Sequence, residues 1–288
     1  MNQRAAETMA GKRAPPSGLV LTCLTDDPAL AAMAAAAGVE RIGPDLEQIG
    51  KAERQPNLGT RLSWHSTGCL PALAGVVKSA ALFARINPIH PGSEAEIETV
   101  LAHGTSVVML PYFHTLGEVE RFVALVGGRA RTVALVETAA AAFLIDRIAA
   151  LDGLDEIHVG LTDMMLSSRV GSRYVIMTSD LMPAIAAAAH ARGKPFHLAG
   201  VARIDDAAMP MPSDLTLARF AELGVGGALL TRAFLNSLTT VDQLAGAVRA
   251  LRERYAYWSG CAPAERQAAV AELKALVDSR VAAGLSVP

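Results

Sequence analysis

Several apolar runs in this chain finish in a charge that packing alone does not require. Val133-Ala134-Leu135-Val136 ends in Glu137, and the run Glu156–Gly160 leads through Leu161 and Thr162 to Asp163. Leu82-Phe83-Ala84 meets Arg85, and Val39–Gly43 is followed by Asp45 and Glu47. Alternation along a strand puts Val133, Leu135 and Glu137 on one face, and Val159, Leu161 and Asp163 on one face if the extended backbone persists that far. Neighbouring strands lie about 4.8 Å apart, so two such carboxylates can share one cation. Carboxylates completed by water or substrate oxygens suit Mg²⁺ or Mn²⁺ better than zinc. The competing reading is a pair of solvated acids at helix N-termini, where the helix dipole favours them. An arginine inside an apolar run is costly unless it faces an anion or a polar cavity. Arg85 therefore either pairs with a strand-end acid or holds a substrate carboxylate or enolate oxygen in its fork.

Those charges need elements to carry them. Apolar runs rich in Val, Ile and Leu predict eight strands: Leu19–Leu24, Val39–Gly43, Leu82–Ile86, Ser106–Leu110, Thr132–Val136, Glu156–Gly160, Pro195–Ala199 and Gly226–Thr231. Between them helical periodicity covers 27–37, 69–79, 93–103, 115–126, 139–150, 179–192, 213–223 and 240–257. Ser93 with Glu96, Thr115 with Glu118 and Thr240 with Gln243 have the spacing of reciprocal capping boxes. Alternating strands and helices imply a parallel sheet covered by helices, and strands without polar alternation imply burial on both faces. The turn after the first strand, Leu24-Thr25-Asp26-Asp27-Pro28, has no glycine, so the dinucleotide-binding fingerprint is absent. The fold class this predicts is α/β, a (β/α)8 TIM barrel over 17–260, preceded by a flexible leader over 1–16. A C-terminal helical arm over 261–288 follows, amphipathic across 263–284, with Val270, Leu273, Leu276, Val277 and Val281 on one face. That apolar stripe needs cover from its own barrel or from another subunit.

Composition narrows the function. The 288 residues are 51% hydrophobic and 19% charged, enough apolar material for a large core. A net charge of −2 gives no electrostatic footprint for nucleic acid, so a small-molecule ligand is expected instead. Cys23, Cys69 and Cys261 are too few and too scattered for a disulfide framework or a zinc site, and they read as free thiols. The apolar run after Arg4, Lys12 and Arg13 is short and stops at Asp26, and no stretch is long enough to span a membrane. The expected location is the cytoplasm.

The segments Val133-Ala134-Leu135-Val136-Glu137-Thr138 and Val159-Gly160-Leu161-Thr162-Asp163 resemble the fifth- and sixth-strand motifs of the HpcH/HpaI aldolase and citrate lyase β-subunit family. Ala84-Arg85-Ile86-Asn87-Pro88 resembles that family's third-strand arginine motif in its citrate-lyase-like form. Val108-Met109-Leu110-Pro111 and Pro44-Asp45-Leu46-Glu47 resemble its fourth- and second-strand ends. The resemblance covers about residues 18–235. It implies Mg²⁺ or Mn²⁺ on Glu137 and Asp163, Arg85 in the active site, and cleavage or formation of a C–C bond beside a 2-oxo acid or acyl thioester. It also implies a homo-oligomer that exchanges C-terminal helices. The sixth-strand end reads Gly-Leu-Thr-Asp where aldolases of the family have Gly-Pro-x-Asp. Gln48 stands where the aldolase branch has a histidine.

Chemically, a divalent ion would polarise the 2-oxo acid, with Arg85 as a second positive contact. Asp45, Glu47 and His65 are the candidate bases besides a metal-bound water. Thr162, beside Asp163, and Arg203, after the seventh strand, are further candidate substrate contacts, and Arg232 could meet a distal carboxylate or phosphate. His158 and His197 lie within strands and read as core residues. Lys51 and Lys78 do not end strands, which argues against a Schiff-base aldolase. The expected activity is a metal-dependent carbon–carbon lyase or aldolase. A lyase or synthase acting on an acyl-CoA thioester and a catalytically inactive barrel used for binding are the alternatives.

Overall fold

A computed structural model of the chain describes residues 18–54 and 65–284. Eight strands, β1 (Val20–Leu24), β2 (Arg41–Gly43), β3 (Ala81–Arg85), β4 (Val107–Leu110), β5 (Arg131–Val136), β6 (Glu156–Val159), β7 (Phe196–Val201) and β8 (Gly227–Leu230), form a closed barrel in sequence order. All pairs are parallel, and β1 meets β8 through Val20–Gly227, Leu21–Ala228 and Thr22–Leu229. This is the (β/α)8 barrel that the strand–helix alternation predicts.

The helices in chain order are α1 (Pro28–Ala36), α2 (Lys51–Arg54), α3 (Leu70–Val76), α4 (Ser93–Ala102), α5 (Leu116–Val126), α6 (Ala139–Phe143) and α7 (Ile145–Ala149). They continue with α8 (Leu161–Ser168), α9 (Arg173–Thr178), α10 (Leu181–His190), α11 (Ser213–Glu222), α12 (Arg232–Leu235), α13 (Val241–Gly260) and α14 (Pro263–Ala282). Strand residues that face outward join the helices in the main core, as Ile42, Leu110, Ile157 and Phe196 do. Those that face inward, Phe83, Val107, Met109, Val133 and Leu135, pack a second core inside the barrel. That inner packing makes the barrel a filled cylinder with its open space at one end.

Local sequence explains most element boundaries. Thr115 and Thr240 cap α5 and α13 through the expected reciprocal boxes. Ser93 does not cap α4. It is the first helical residue, and its hydroxyl accepts from His90 N–H at 2.8 Å. Glu96 is drawn instead to Asn87 just past β3, accepting from its Nδ2 at 2.8 Å. A partner from a neighbouring strand end outcompetes the local box. The helix expected over 139–150 is broken into α6 and α7 at Leu144. The short helices α2, α8, α9 and α12, in the connections that leave β2, β6 and β8, are not expected from periodicity.

The leader expected over 1–16, the Ser63 and Trp64 that precede His65, and the last residues of the C-terminal arm lie outside the described residues. Helix α14 packs on α11 and α9 of its own barrel, burying Val270, Leu273 and Val277. Leu276 and Val281, from the same apolar stripe, stay 36% and 49% exposed. Among the described residues no helix is long and apolar enough to cross a membrane.

Candidate active site

The acidic end of β2 is brought to β3 by a close backbone approach. A Cβ at Gly43 would stand 1.7 Å from the Phe83 carbonyl oxygen, so only glycine lets the two strands lie this close. Two residues later Asp45 bridges to Arg85 in register. Arg85 donates to Asp45 from Nε at 2.8 Å and from Nη2 at 2.6 Å, a forked pair. Among the described residues, no hydrogen bond uses its Nη1. The loop after Asp45 is fixed by Asn87, whose Oδ1 accepts from the Gln48 and Ile49 amides at 2.9 and 3.0 Å. That loop delivers α2 and two further cations. Lys51 Nζ sits 2.8 Å from Asp45 Oδ2 and 3.0 Å from Glu47 Oε2, and Arg54 Nη2 binds Glu47 Oε1.

Glu137 follows β5 and is 3% exposed. Its Oε1 accepts from the Tyr112 N–H at 3.0 Å. Tyr112 adopts φ +45, a conformation a bulky residue seldom takes, and its backbone amide reaches Glu137 in that conformation. Gly160 makes room on the other side, because a Cβ there would stand 2.4 Å from Glu137 Oε2. Asp163 is not carried by an extension of β6. The strand ends at Val159, and Asp163 lies in the first turn of α8, buried, with the helix dipole favouring its charge. The face-sharing expected from strand alternation is therefore replaced by a strand-to-helix turn. Arg54 bridges the two sides. Its Nε is 3.5 Å from Asp163 Oδ1, and its guanidinium lies 3.5 Å over the Tyr112 ring.

The acids respond differently to this setting. Burial pushes the Glu137 carboxyl up, and the negative charges of Glu47 and Asp163 push it further, against the weaker pull of Arg85 and the Tyr112 amide. Burial acts on Asp45 too, but Arg85 and Lys51 outweigh it and hold that carboxyl well below the usual range. Burial pulls the Arg85 guanidinium down, but Asp45, Glu47 and Glu137 outweigh it and raise it. Four carboxylates thus converge with three cations, and the uncompensated charge falls on the Glu137 side.

That donor set fits a hard divalent ion. The ligating atoms would be carboxylate oxygens, the neighbouring acids repel one another, and Gly160 keeps the flank of Glu137 open. Among the described residues no group of three or more His, Cys, Asp or Glu side chains is placed to hold a metal ion. A two-carboxylate site would leave positions for water and ligand.

Asp45, Lys51, Arg85, Glu137, Thr162 and Asp163 share the wall of one cavity of about 510 Å³. Glu47 is 1% exposed and lies between Lys51 and Arg54. His65 stands at the edge, away from the cavity wall. Its Nδ1 accepts from the Asp45 N–H at 3.0 Å, and its Nε2 lies 3.3 Å from Asp26. Arg203 also stays off that wall, donating to the Asn236 carbonyl at 2.7 Å and pairing with Asp205 at 3.3 Å. His197 is buried within the barrel as expected, whereas His158, also buried, lies in the cavity wall with its Nε2 3.3 Å from the Ala199 carbonyl oxygen. Lys51, Arg54 and Arg173 are site groups that strand-end reasoning passed over. The i,i+4 spacing of Glu47 and Lys51 was the available signal for the first. The bend at Tyr112 had none.

No protein-family model matches the sequence, and no curated protein does. Solved structures do match in fold. An HpcH/HpaI aldolase from Desulfitobacterium hafniense DCB-2 aligns at TM-score 0.58 and 18% identity, over 79% of this chain and 89% of that one. The citrate lyase β subunit from M. tuberculosis, complexed with oxaloacetate and magnesium, aligns at TM-score 0.56 and 20% identity, over 83% of this chain and 97% of that one. Macrophomate synthase aligns at TM-score 0.58 and 14% identity, over 88% and 91%. At these identities the likeness establishes a shared fold.

Proposed function

We propose that this chain is a divalent-metal-assisted carbon–carbon lyase or aldolase acting on a 2-oxo acid, in the HpcH/HpaI aldolase and citrate lyase β-subunit family. The observation that carries the reading is Glu137. A buried carboxyl raised by two neighbouring acids, in the wall of a cavity that also holds Asp163 and Arg85, is stabilised by a cation brought from outside. The family resemblance of the strand-end motifs and the shared fold support the same reading. Glu137 and Asp163 would hold Mg²⁺ or Mn²⁺, which supplies Lewis acidity towards the adjacent oxygens of a 2-oxo acid.

The chain's own groups then act on the substrate. Asp45 fixes the Nε and Nη2 edge of Arg85, so Nη1 is the donor Arg85 presents to the carboxylate or to the oxygen that gains charge when the C–C bond breaks. Losing a donor of this kind costs about 2.7–4 kcal/mol of barrier. Asp45 is a poor base, because accepting a proton would sacrifice two ion pairs. Both ring nitrogens of His65 are already engaged away from the cavity wall. Lys51 Nζ, backed by Asp45 and Glu47 and lying on that wall, is the group we assign to protonate the new hydroxyl oxygen in the condensing direction.

The test is deuterium exchange into the methyl group of pyruvate, followed by NMR with and without Mg²⁺, beside calorimetric Mg²⁺ titration. Exchange that requires the ion and is lost in Glu137→Gln and Asp163→Asn is the expected result. Full exchange in either variant would overturn the assignment.

A further inference from the structure

The cavity is larger than a three-carbon 2-oxo acid needs. From Arg85, Glu137 and Asp163 it extends under α9 and the segment that follows β7, where Met177, Met209, Met211, Phe220, Leu230 and Leu235 line it. At about 510 Å³ it falls in the range that encloses a drug-sized ligand. The space has an identifiable origin in the sheet. Pairing of β7 with β8 slips between His197 and Gly200, Ala199 takes φ +48, and this end of β7 carries little side chain in Ala199, Gly200 and Ala202.

The chemistry of the chamber differs from that of the acid cluster. Its wall is mainly hydrocarbon and thioether, interrupted by Tyr174, Ser213, Thr216 and Thr231, and Met177, Met211 and Phe220 are each at most 3% exposed. Burying methylenes there is favourable, whereas burying an unpaired anion is costly. Three methionines from separate segments, flexible and unbranched, adapt to ligands of different outline. The charged groups that also reach the cavity on this side are cations, Arg173 and Arg232. They give the competing expectation, an anionic tail.

We infer that the second fragment of the reaction is an apolar aldehyde, aliphatic or aromatic, seated in this chamber. The inference rests on the lyase reading above and adds the substrate class. In the cleaving direction the C3–C4 bond of a 4-hydroxy-2-oxo acid breaks, and its electron pair passes to C3 as the enolate of pyruvate. The hydroxyl on C4 returns its proton to Lys51 Nζ, the reverse of the condensing step, and becomes the aldehyde carbonyl in the chamber. C3 takes a proton from water to complete pyruvate, and Lys51 gives its proton back to water. No oxidant or reductant is involved.

The experiment is Mg²⁺-loaded protein with pyruvate and a series of acceptors: acetaldehyde, butanal, hexanal, benzaldehyde and succinic semialdehyde. From acetaldehyde to hexanal, kcat/KM should rise about three- to fourfold per methylene. Hexanal and benzaldehyde should exceed succinic semialdehyde by at least about tenfold, and Ala202→Leu should lower the hexanal value more than the acetaldehyde value. A flat or falling series, or preference for succinic semialdehyde, overturns the inference, the latter assigning Arg173 or Arg232 to an anionic tail. Pyruvate deuterium exchange separates the two failures. Exchange with a flat series removes only the apolar aldehyde, whereas absence of both exchange and condensation removes the lyase reading and this inference together.

Discussion

Glu156 and Glu137 are buried glutamates on neighbouring strands of one barrel, and their carboxyls shift in opposite directions. Glu156 opens β6 at the far end of the barrel interior, where Arg41 of β2 reaches across and donates to both oxygens at 2.7 Å. Arg131 lies 3.2 Å away and His197 3.8 Å. Burial pushes Glu156 up, but His197, Arg41 and Arg131 outweigh it and leave the carboxyl lowered. Glu137 has the same burial and faces further acids. An acid whose cations come from its own chain closes a structure and leaves nothing to bind. One whose neighbours repel it is relieved by a proton or by a cation brought from outside.

Breaking each acid in turn gives the sharpest test of that difference. Glu156→Gln strands Arg41 in the barrel interior and should cost about 3–5 kcal/mol of stability by urea unfolding. Glu137→Gln should leave metal-free stability unchanged or higher while abolishing the Mg²⁺-dependent stabilisation expected of the parent. Equal destabilisation by both would erase the distinction. Arg85→Lys comes next. It exchanges a fork for a point charge and should lower kcat/KM by about 10²–10³-fold, with the fold retained by circular dichroism.

The pH dependence of metal-free stability separates the buried histidines from Glu137 as well. Burial, with the nearby positive charges of His197, Arg41 and Arg85, pulls His158 down to about 3. Burial, with Arg41 and Arg131 and against the opposing pull of Glu156, lowers His197 to about 4. Below the ordinary histidine value near 6.5 the unfolded chain takes up protons that the folded barrel refuses. Stability should therefore fall as pH drops towards 4, by up to about 1.4 kcal/mol per pH unit for each histidine. Glu137 works the other way. Its raised carboxyl holds a proton in the folded state above the unfolded value, so stability is gained as pH falls through that range. Melting temperatures should show a steeper acid loss in Glu137→Gln than in the parent, and a shallower one in His197→Gln. The smallest effect concerns Arg54, the internal cation beside Glu47 and Asp163. Arg54→Ala should tighten Mg²⁺ binding severalfold in calorimetry, and unchanged affinity would show that Arg54 and the ion do not compete.

Much of this was legible along the chain. Continuous apolar runs separated by helical periodicity specify parallel strands under helices, and Thr115 and Thr240 start their helices by contacts within four residues. The charges at strand ends also stand out, because an apolar strand has no packing use for them. Local patterning carries that information, since each signal depends on residues near in sequence. Where partners came from distant segments, the pattern misled. Glu96 abandoned Ser93 for Asn87, Asp163 entered a helix that the dipole at its N-terminus favours, and His65 and Arg203 turned towards Asp26 and Asn236.

The barrel, its direction and the acids and arginine at its open end follow from local patterning, because strand and helix periods are written residue by residue. Which acid is neutralised and which is not emerges from the packed fold. So do the entry of Lys51 and Arg54 into the cluster and the largely apolar chamber beside the irregular end of β7. Burial, charge compensation and empty volume depend on groups scores of residues apart, and they come into being only when the cylinder closes.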